Sequence, residues 1–368
     1  MAKTLIGIGD PKAVKRYSAL LATDTAKKGY WTSRFFGTGE SASAPVHQLN
    51  ELENAAGDLI TYDLSVQLAG QGVEGDDTLE GNEEKLTLYT DSLYINQRRH
   101  AVDTGGAMTR KRTIHNLRDI AKRRLSDWWA RLFDEMLFQY ASGARGVNSG
   151  FIDPTSYTGF ANNSFTAPDS DHLIVGGGAK ASLDSADKMS LNFIDVAKTN
   201  AQMMGGDSSQ TPQIQPVKID GEDHFVCVMS PWQAYDLRTA TGETGWLAIQ
   251  KAAAASTGKA SPIFKGALGM HNGVVLHEHS NVIRFSDYGS GGNVAAARAL
   301  FLGDQALTMA FGSPGTGMRF SWKEEPKDYD NDLGVAAGTI FGIKKTTFEG
   351  KDYGVIAIDT AAAAPSVA

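Results

Sequence analysis

The chain has 368 residues, of which 42% are hydrophobic and 21% are charged, and its net charge at pH 7 is -7. This length allows a large buried core and two or three structural units, and the composition is that of a globular protein, not of a disordered or membrane protein. The acidic balance argues against a dedicated nucleic-acid-binding protein, which is usually basic.

A single cysteine, Cys227, lies in an apolar run. It excludes a disulfide framework and favours a buried thiol in a reducing compartment. The first residues lack the long apolar core of a secretory signal, and no apolar run reaches 18 residues. We therefore expect a protein that is made in a cytosol.

Residues 1–50 are predicted to form an N-terminal arm. The spacing of apolar residues between Pro11 and Lys28 allows only one or two helical turns. Such a segment has too little periodic apolar surface to build its own core, so we expect it to be ordered by lying on another part of an assembly. The same burial is expected for the aromatic cluster that follows, which consists of Tyr30, Trp31, Phe35 and Phe36.

Two segments with alternating polarity, residues 58–69 and 85–102, predict the strands of a long hairpin. The connection between them is rich in glycine and contains no base. Because like charges resist folding inwards, we expect this hairpin to project from the body, although a solvated loop is the simpler interpretation. The acids of the connection are Glu74, Asp76, Asp77, Glu80, Glu83 and Glu84.

One uninterrupted helix from Thr109 to Ser142 is predicted, because apolar residues recur at steps of three or four and Gly143 follows as a stop. At 1.5 Å per residue it would be roughly 50 Å long. The helix is basic in its first half and carries two acids, Asp134 and Glu135, near its end, and both features oppose the helix dipole. An acidic or phosphate-bearing partner would explain the basic residues, and so would a solvated face. The basic first half contains Arg110, Lys111, Arg112, Arg118, Lys122, Arg123 and Arg124.

Adjacent residues of a helix point about 100° apart, so Trp128 and Trp129 must contact different elements. Trp128 lies on the main apolar stripe and is predicted to pack on the sheet of C-terminal strands. Trp129 is predicted to cover a second element, such as the base of the hairpin.

The later segments alternate between helical and strand patterns. They predict a helix over 190–204 capped by Ser190, a hairpin over 217–229, a helix opened by Ser230 and Pro231, a helix over 246–255, and strands over 273–278 and 281–285. From residue 295 onwards, long apolar segments indicate strands or short helices of another core.

No motif for phosphate binding, dinucleotide binding or a nucleophilic serine is present. Asp328, Asp330 and Asp332 resemble the start of a calcium loop, but the glycine and the final glutamate of that loop are missing. A metal site could begin at the histidine cluster, although surface or interface histidines are commoner. The cluster consists of His271, His277 and His279, with Glu278 between the last two.

The order and spacing of three segments resemble the major capsid proteins of tailed bacteriophages, in a capsid family found mainly in short-tailed phages. These segments are VEGDDTLEGNEEKLTLY, RRHAVDTGGAMTRKRTIHNLRDIAKRRLSDWW, and EEPKDYDNDLGVAAGTIFGIKKTTF with DYGVIAIDTAA. The resemblance covers roughly residues 30–362. It implies an α+β fold of the Hong Kong 97 type with a long spine helix. The implied division is an N-terminal arm (1–50), an extended β-hairpin loop (51–103), a peripheral domain with the spine helix (104–190), an axial domain (191–294), and a return to the peripheral domain with a C-terminal tail (295–368).

The resemblance implies a structural protein, not an enzyme, which self-assembles as hexamers and pentamers into the icosahedral head of a virion. Assembly would take place in the host cytoplasm, without a cofactor, a metal or a membrane. The other implied partners are the portal, possible scaffold or decoration proteins, and packaged double-stranded DNA through non-specific contact. Some relatives join subunits through a lysine of the extended loop, but residues 70–84 contain none, so we expect no such link.

The predicted contacts between subunits combine three groups of residues. They are the six acids of residues 74–84, the bases Arg118, Lys122, Arg123 and Arg124, and the aromatic residues Trp31, Phe35 and Phe36. Two alternatives stay open at this stage. One is another virion component, such as a decoration or tail-tube protein, and the other is a cytosolic metal-dependent hydrolase built around His271, His277 and His279.

Overall fold

The computed structural model describes residues 21–38, 42–50, 57–65, 71–83, 85, 88–204, 213–219, 221–240, 267–313, 319–329 and 331–365. Several predicted features lie outside these residues, among them the start of the arm, residues 66–69 of the first hairpin strand, Glu84, the helix over 246–255 and Asp330. Residues 21–28 are helical, and the further α-helices are α1 (Tyr30–Arg34), α2 (Ala107–Arg112), α3 (Leu117–Ser142), α4 (Leu191–Met203) and α5 (Pro231–Thr239).

The first strands of the described chain are β1 (Phe36–Thr38), β2 (Val46–Leu49), β3 (Leu59–Ser65), β4 (Leu88–Tyr94), β5 (Asn96–Gly106), β6 (Gly159–Phe160), β7 (Asn163–Ser164) and β8 (Leu173–Val175). The middle strands are β9 (Val217–Ile219), β10 (Glu222–Met229), β11 (Gly269–His271), β12 (Val274–Glu278), β13 (Arg284–Tyr288) and β14 (Val294–Leu302). The last are β15 (Leu307–Gly312), β16 (Phe320–Lys327), β17 (Asp332–Lys345), β18 (Thr347–Phe348), β19 (Lys351–Asp352) and β20 (Val355–Ala361).

Two large sheets organise the fold, which is α+β as expected. The first has six strands in the order β1-β2-β15-β17-β16, with β5 also paired to β17. The second has eight strands in the order β11-β12-β10-β14-β20-β8, with β13 on β14 and β9 on β10. The central strands β10 and β20 are buried almost throughout, which is why they consist of nearly continuous apolar runs.

The helix α3 packs on both sheets, and its buried face is part of the main apolar core. Its residues Leu125, Leu132, Met136 and Tyr140 are buried, in agreement with the predicted apolar stripe. Gly143 ends the helix in the left-handed conformation, at φ 67°, as the sequence predicts. In the described part of the chain, no helix is both long and apolar enough to span a bilayer.

The predicted start of this helix is wrong. Two helices replace one, because Thr113 adopts an extended conformation after α2 and Asn116 begins α3 as its N-cap. The Asn116 side chain accepts a hydrogen bond from the backbone N–H of Asp119, which stabilises a new helix start. The helix α3 has 26 residues and is therefore about 39 Å long.

The predicted second strand of the hairpin is also divided. Its first part, β4, pairs with β3 from Leu59 opposite Tyr94 to Ser65 opposite Leu88. Its second part, β5, leaves the hairpin and pairs along β17 instead. The chain therefore passes at Ile95 from a two-stranded hairpin into the six-stranded sheet.

Several short-range predictions are confirmed. The strands β9 and β10 form the expected antiparallel hairpin. Ser230 caps α5 with a full capping box, in which Gln233 bonds back to the Ser230 N–H. The predicted helix after Ser190 is also present as α4, but the predicted cap is wrong, because the Ser190 side chain makes no capping hydrogen bond at the N-cap position.

Candidate assembly surfaces

The base of the β3–β4 hairpin is fixed to the body by a buried carboxylate, Asp91. It forms an ion pair with Lys344 of β17 and accepts a hydrogen bond from the Tyr62 hydroxyl at 2.9 Å. Beside it, Ile60 and Leu93 pack against Ala310 of β15. The hairpin is thus held at one end by both polar and apolar contacts with the six-stranded sheet.

The far end of the hairpin is the acidic loop (residues 71–83), and all of its side chains except Val73 are exposed. Five acids point into solvent here, and none of them forms an ion pair within the described chain. The loop also exposes one large apolar side chain, Leu79, at 60%. Its charge and its exposed leucine are both available for contact with another molecule. The acids are Glu74, Asp76, Asp77, Glu80 and Glu83.

The basic half of α3 is partly used within the subunit. Arg118 donates through Nη2 and Nε to Glu324 Oε1, at 2.7 and 2.9 Å, and only 5% of the Glu324 side chain is exposed. The charge of Arg118 therefore has an explanation inside the chain. On the helix surface, Arg124 Nη1 lies 3.7 Å from Asp127 Oδ2. Arg123 is exposed, and Lys122 is half-buried. These three residues remain predicted contacts.

The aromatic cluster of the N-terminal arm lies inside the subunit, so the prediction of an inter-subunit contact is wrong for Trp31 and Phe35. Both are fully buried, and the ring of Trp31 lies 5.0 Å from that of Phe138 in α3. Phe36 is half-buried, and its role between subunits stays a prediction.

A carboxylate in the middle of α3 holds this arm. Asp134 accepts hydrogen bonds from the backbone N–H groups of Tyr30, at 2.8 Å, and Trp31, at 3.0 Å. Burial raises the pKa of Asp134 to about 6, against the opposing effect of these two N–H groups and of Arg34. The acids that oppose the helix dipole thus serve tertiary contacts, since Glu135 likewise accepts from the Ile152 N–H at 2.7 Å.

The prediction of which tryptophan of the spine helix, α3, packs on the C-terminal strands is wrong. Trp129 is the fully buried indole and packs on the sheet of C-terminal strands, 5.5 Å from Phe320 and 6.4 Å from Phe341. Trp128 is half-buried and stacks on His100 of β5 at 4.2 Å, with Arg98 beside it. Both indoles are nevertheless covered, as expected.

The histidine cluster is divided among separate contacts. His271 Nε2 lies 3.0 Å from Asp195 Oδ1, and the buried His277 ring lies 5.3 Å from Phe35. The His279 ring lies 4.3 Å from that of Tyr30 in a tilted arrangement, and burial, with Arg34 nearby, lowers the pKa of His279 to about 4. Across the described residues, no three His, Cys, Asp or Glu side chains are arranged to hold a metal ion.

A buried network at the end of α3 is not predicted from the sequence. Arg298 forms a double hydrogen bond with Asp359, 2.7 Å at each contact, and donates at 2.7 Å to the Ser142 carbonyl. Tyr288 donates to the same carboxylate at 2.6 Å. Arg298 interrupts the otherwise apolar strand β14, and Asp359 interrupts the otherwise apolar strand β20. These two charged residues within apolar strands are the sequence signal from which the pair could have been predicted.

The architecture has clear counterparts among known proteins. A family model described as "Phage capsid protein" matches residues 5–364. The major capsid protein of Pseudomonas phage KPP25 is 28% identical over 372 residues, with 92% of each chain covered.

Solved structures give the same result. The capsid of Ralstonia phage GP4 is 51% identical, covers 100% of both chains and superposes with a TM-score of 0.86. The capsid asymmetric unit of Cyanophage Pam1 shares the fold at 22% identity, with a TM-score of 0.68 over 89% of this chain and 91% of that one. Since one family model spans nearly the whole sequence, the chain belongs to the phage capsid protein family and has a fold of the Hong Kong 97 type.

Proposed function

We propose that this chain is the major capsid protein of a phage and that its copies assemble, as hexamers and pentamers, into the icosahedral head that encloses double-stranded DNA. The observation that carries this proposal is the likeness to the Ralstonia phage GP4 capsid, which extends over the full length of both chains at 51% identity. A shell subunit needs projections that overlap its neighbours, because many weak contacts then give a stable assembly. The β3–β4 hairpin with its exposed acidic loop is such a projection.

In this proposal the extended loop ends at Tyr94, and the peripheral domain begins at β5 instead of at residue 104. The reason is that β5 pairs along β17 from Phe341 to Asp332 and so belongs to the six-stranded sheet. The eight-stranded sheet, which includes the last strand β20, forms the axial domain together with α4 and α5.

The proposal also covers the location and the partners. Subunits assemble in the host cytoplasm, and the finished shell is part of the virion. The portal and, where present, scaffold or decoration proteins contact the shell, and DNA is bound without sequence preference. The chain has no catalytic role. Because residues 71–83 contain no lysine, neighbouring subunits are held without a covalent link through this loop.

Expression of the full chain, followed by gradient sedimentation and electron microscopy, tests the function. We expect closed shells of mega-dalton mass, which dissociate to a monomer band on a denaturing gel. A variant with residues 71–83 replaced by a short glycine linker should keep the circular dichroism of the parent subunit but form no closed shells. A small discrete oligomer in place of shells would contradict the proposal.

A further inference from the structure

A second exposed surface carries the opposite charge to the acidic loop. The basic apolar patch consists of Met108, Arg110, Lys111, Arg112, Ile114 and Tyr329. Ile114 is 96% exposed and Tyr329 103% exposed, which makes them the most exposed large hydrophobic side chains in the described parts of the chain, and Met108 is 60% exposed. Solvated apolar side chains among arginines are typical of a surface that is covered in an assembly.

The patch is held together by Asn331, which follows the turn between β16 and β17. Its side-chain oxygen accepts a hydrogen bond from the Ala107 N–H at 3.1 Å, and its carbonyl accepts one from Arg110 Nη2 at 2.9 Å. Its amide also donates to Asp328 Oδ2 at 3.3 Å. The short helix α2 is thereby fixed beside the turn, so the patch has a defined shape before any partner binds.

The turn itself adopts a backbone conformation that glycine takes readily and most other residues adopt rarely. Asp328 and Tyr329 both have φ near 50°, in the left-handed region. A tyrosine in this region is uncommon, and the turn is closed by a hydrogen bond from the Asn331 N–H to the Asp328 carbonyl at 3.0 Å. The turn holds the Tyr329 side chain fully exposed beside α2, so this ring is available for contact with a partner.

The acidic loop has the composition that this patch requires. Its five carboxylates lie within five positions of the exposed Leu79 along the chain, and the three bases of the patch lie between the exposed Met108 and Ile114. The bases of α3 fit less well, because Arg118 is paired with Glu324 and Arg124 lies beside Asp127. By contrast, Lys111 and Arg112 are exposed and form no ion pair within the described residues.

We propose that the acidic loop of one subunit docks on the basic apolar patch of a second copy, with Leu79 against Met108, Ile114 and Tyr329 and with the carboxylates facing Arg110, Lys111 and Arg112. This inference rests on the proposed function, since it names the contact surface between copies in the shell. It assigns the receptor for the loop to α2 and the β16–β17 turn, not to α3.

Cysteine pairing tests the contact directly. Under mild oxidation, shells of the variant L79C/M108C should give a ladder of disulfide-linked multimers on a non-reducing gel, because each subunit joins two neighbours. The native Cys227 is fully buried and does not interfere. The matched control L79C/R123C, with its second cysteine on α3, should stay monomeric. A ladder from the control alone, or an internally linked monomer from L79C/M108C, would overturn the assignment.

Charge reversal tests the electrostatic part. The variant K111E/R112E should lower the yield of closed shells at least about tenfold, because each weakened contact is repeated around the shell, while R123E/R124E, which changes bases of α3 that this contact does not use, should lower the yield much less. Reversing the loop as well, in D76K/D77K, should restore assembly of K111E/R112E. Normal shells from K111E/R112E, or no recovery in the combined variant, would contradict the inference. Failure of the unaltered chain to form shells would instead count against the proposed function.

Discussion

The adjacent residues Trp128 and Trp129 provide a matched test of how the spine helix is anchored. Trp129 is fully buried between α3 and the six-stranded sheet, so Trp129→Ala should lower the free energy of unfolding by about 3–5 kcal/mol. Trp128 is half-buried and makes one stacked contact with His100, so Trp128→Ala should lower it by only about 1–2 kcal/mol.

Urea unfolding of the unassembled subunit, followed by circular dichroism, measures both losses of unfolding free energy. The comparison holds if the dependence of that free energy on urea concentration is the same in the variants and the parent. Arg123→Ala, an exposed change on the same helix, should stay within about 0.5 kcal/mol of the parent and serves as control. Trp129→Phe should cost less than Trp129→Ala, since the indole Nε1 has no hydrogen-bond partner in the described chain. An equal loss for the two alanine variants, or a larger loss for Trp128→Ala, would refute this assignment of the helix faces.

Three further predictions concern buried ionisable groups, and each is read from the free energy of unfolding. Arg298→Met should lower it by about 3–5 kcal/mol, because Asp359 is left buried without its cation; loss below about 1 kcal/mol would contradict this. The Asp134 carboxyl, with its pKa raised to about 6 from 3.8, stabilises the folded state most in acid, so the advantage of the parent over Asp134→Asn should shrink as the pH rises from 4 to 6. His279, with its pKa lowered to about 4 from 6.5, acts in the opposite direction, so His279→Phe should reduce the loss of stability that the parent shows as the pH falls from 6.5 to 4.

Features that depend on local chemistry could be predicted from the sequence. The end of α3 at Gly143 and the capped start of α5 at Ser230 each follow from residues within one turn of the element. The exposure of the acidic loop could likewise be predicted, because its like charges resist folding inwards. The fold type could not be predicted from these local signals. It was predicted from the order and spacing of longer segments, which resemble those of phage capsid proteins.

Features that depend on distant partners could not be predicted. The acceptor for the Tyr30 N–H is Asp134, which lies 104 positions further along the chain. Both sides of α3 around Trp128 and Trp129 are apolar, so only the position of the sheet decides which indole is buried. The passage of the chain at Ile95 from β4 to β5 is likewise set by β17, because an alternating pattern does not say which strand is the neighbour.

The pairing of the first strands with the last has a consequence for biosynthesis. Val46 of β2 pairs with Leu307, Val102 of β5 pairs with Val335, and Ile174 of β8 pairs with Ile358. At a translation rate of about 5–20 residues per second, β2 waits roughly 13–50 seconds for its neighbour β15 to be synthesised. Such non-local pairing slows folding and leaves unpaired edges on any shorter chain. A nascent subunit therefore completes both sheets only when nearly all of it has left the ribosome, so chains that stop early lack the framework that presents the assembly surfaces.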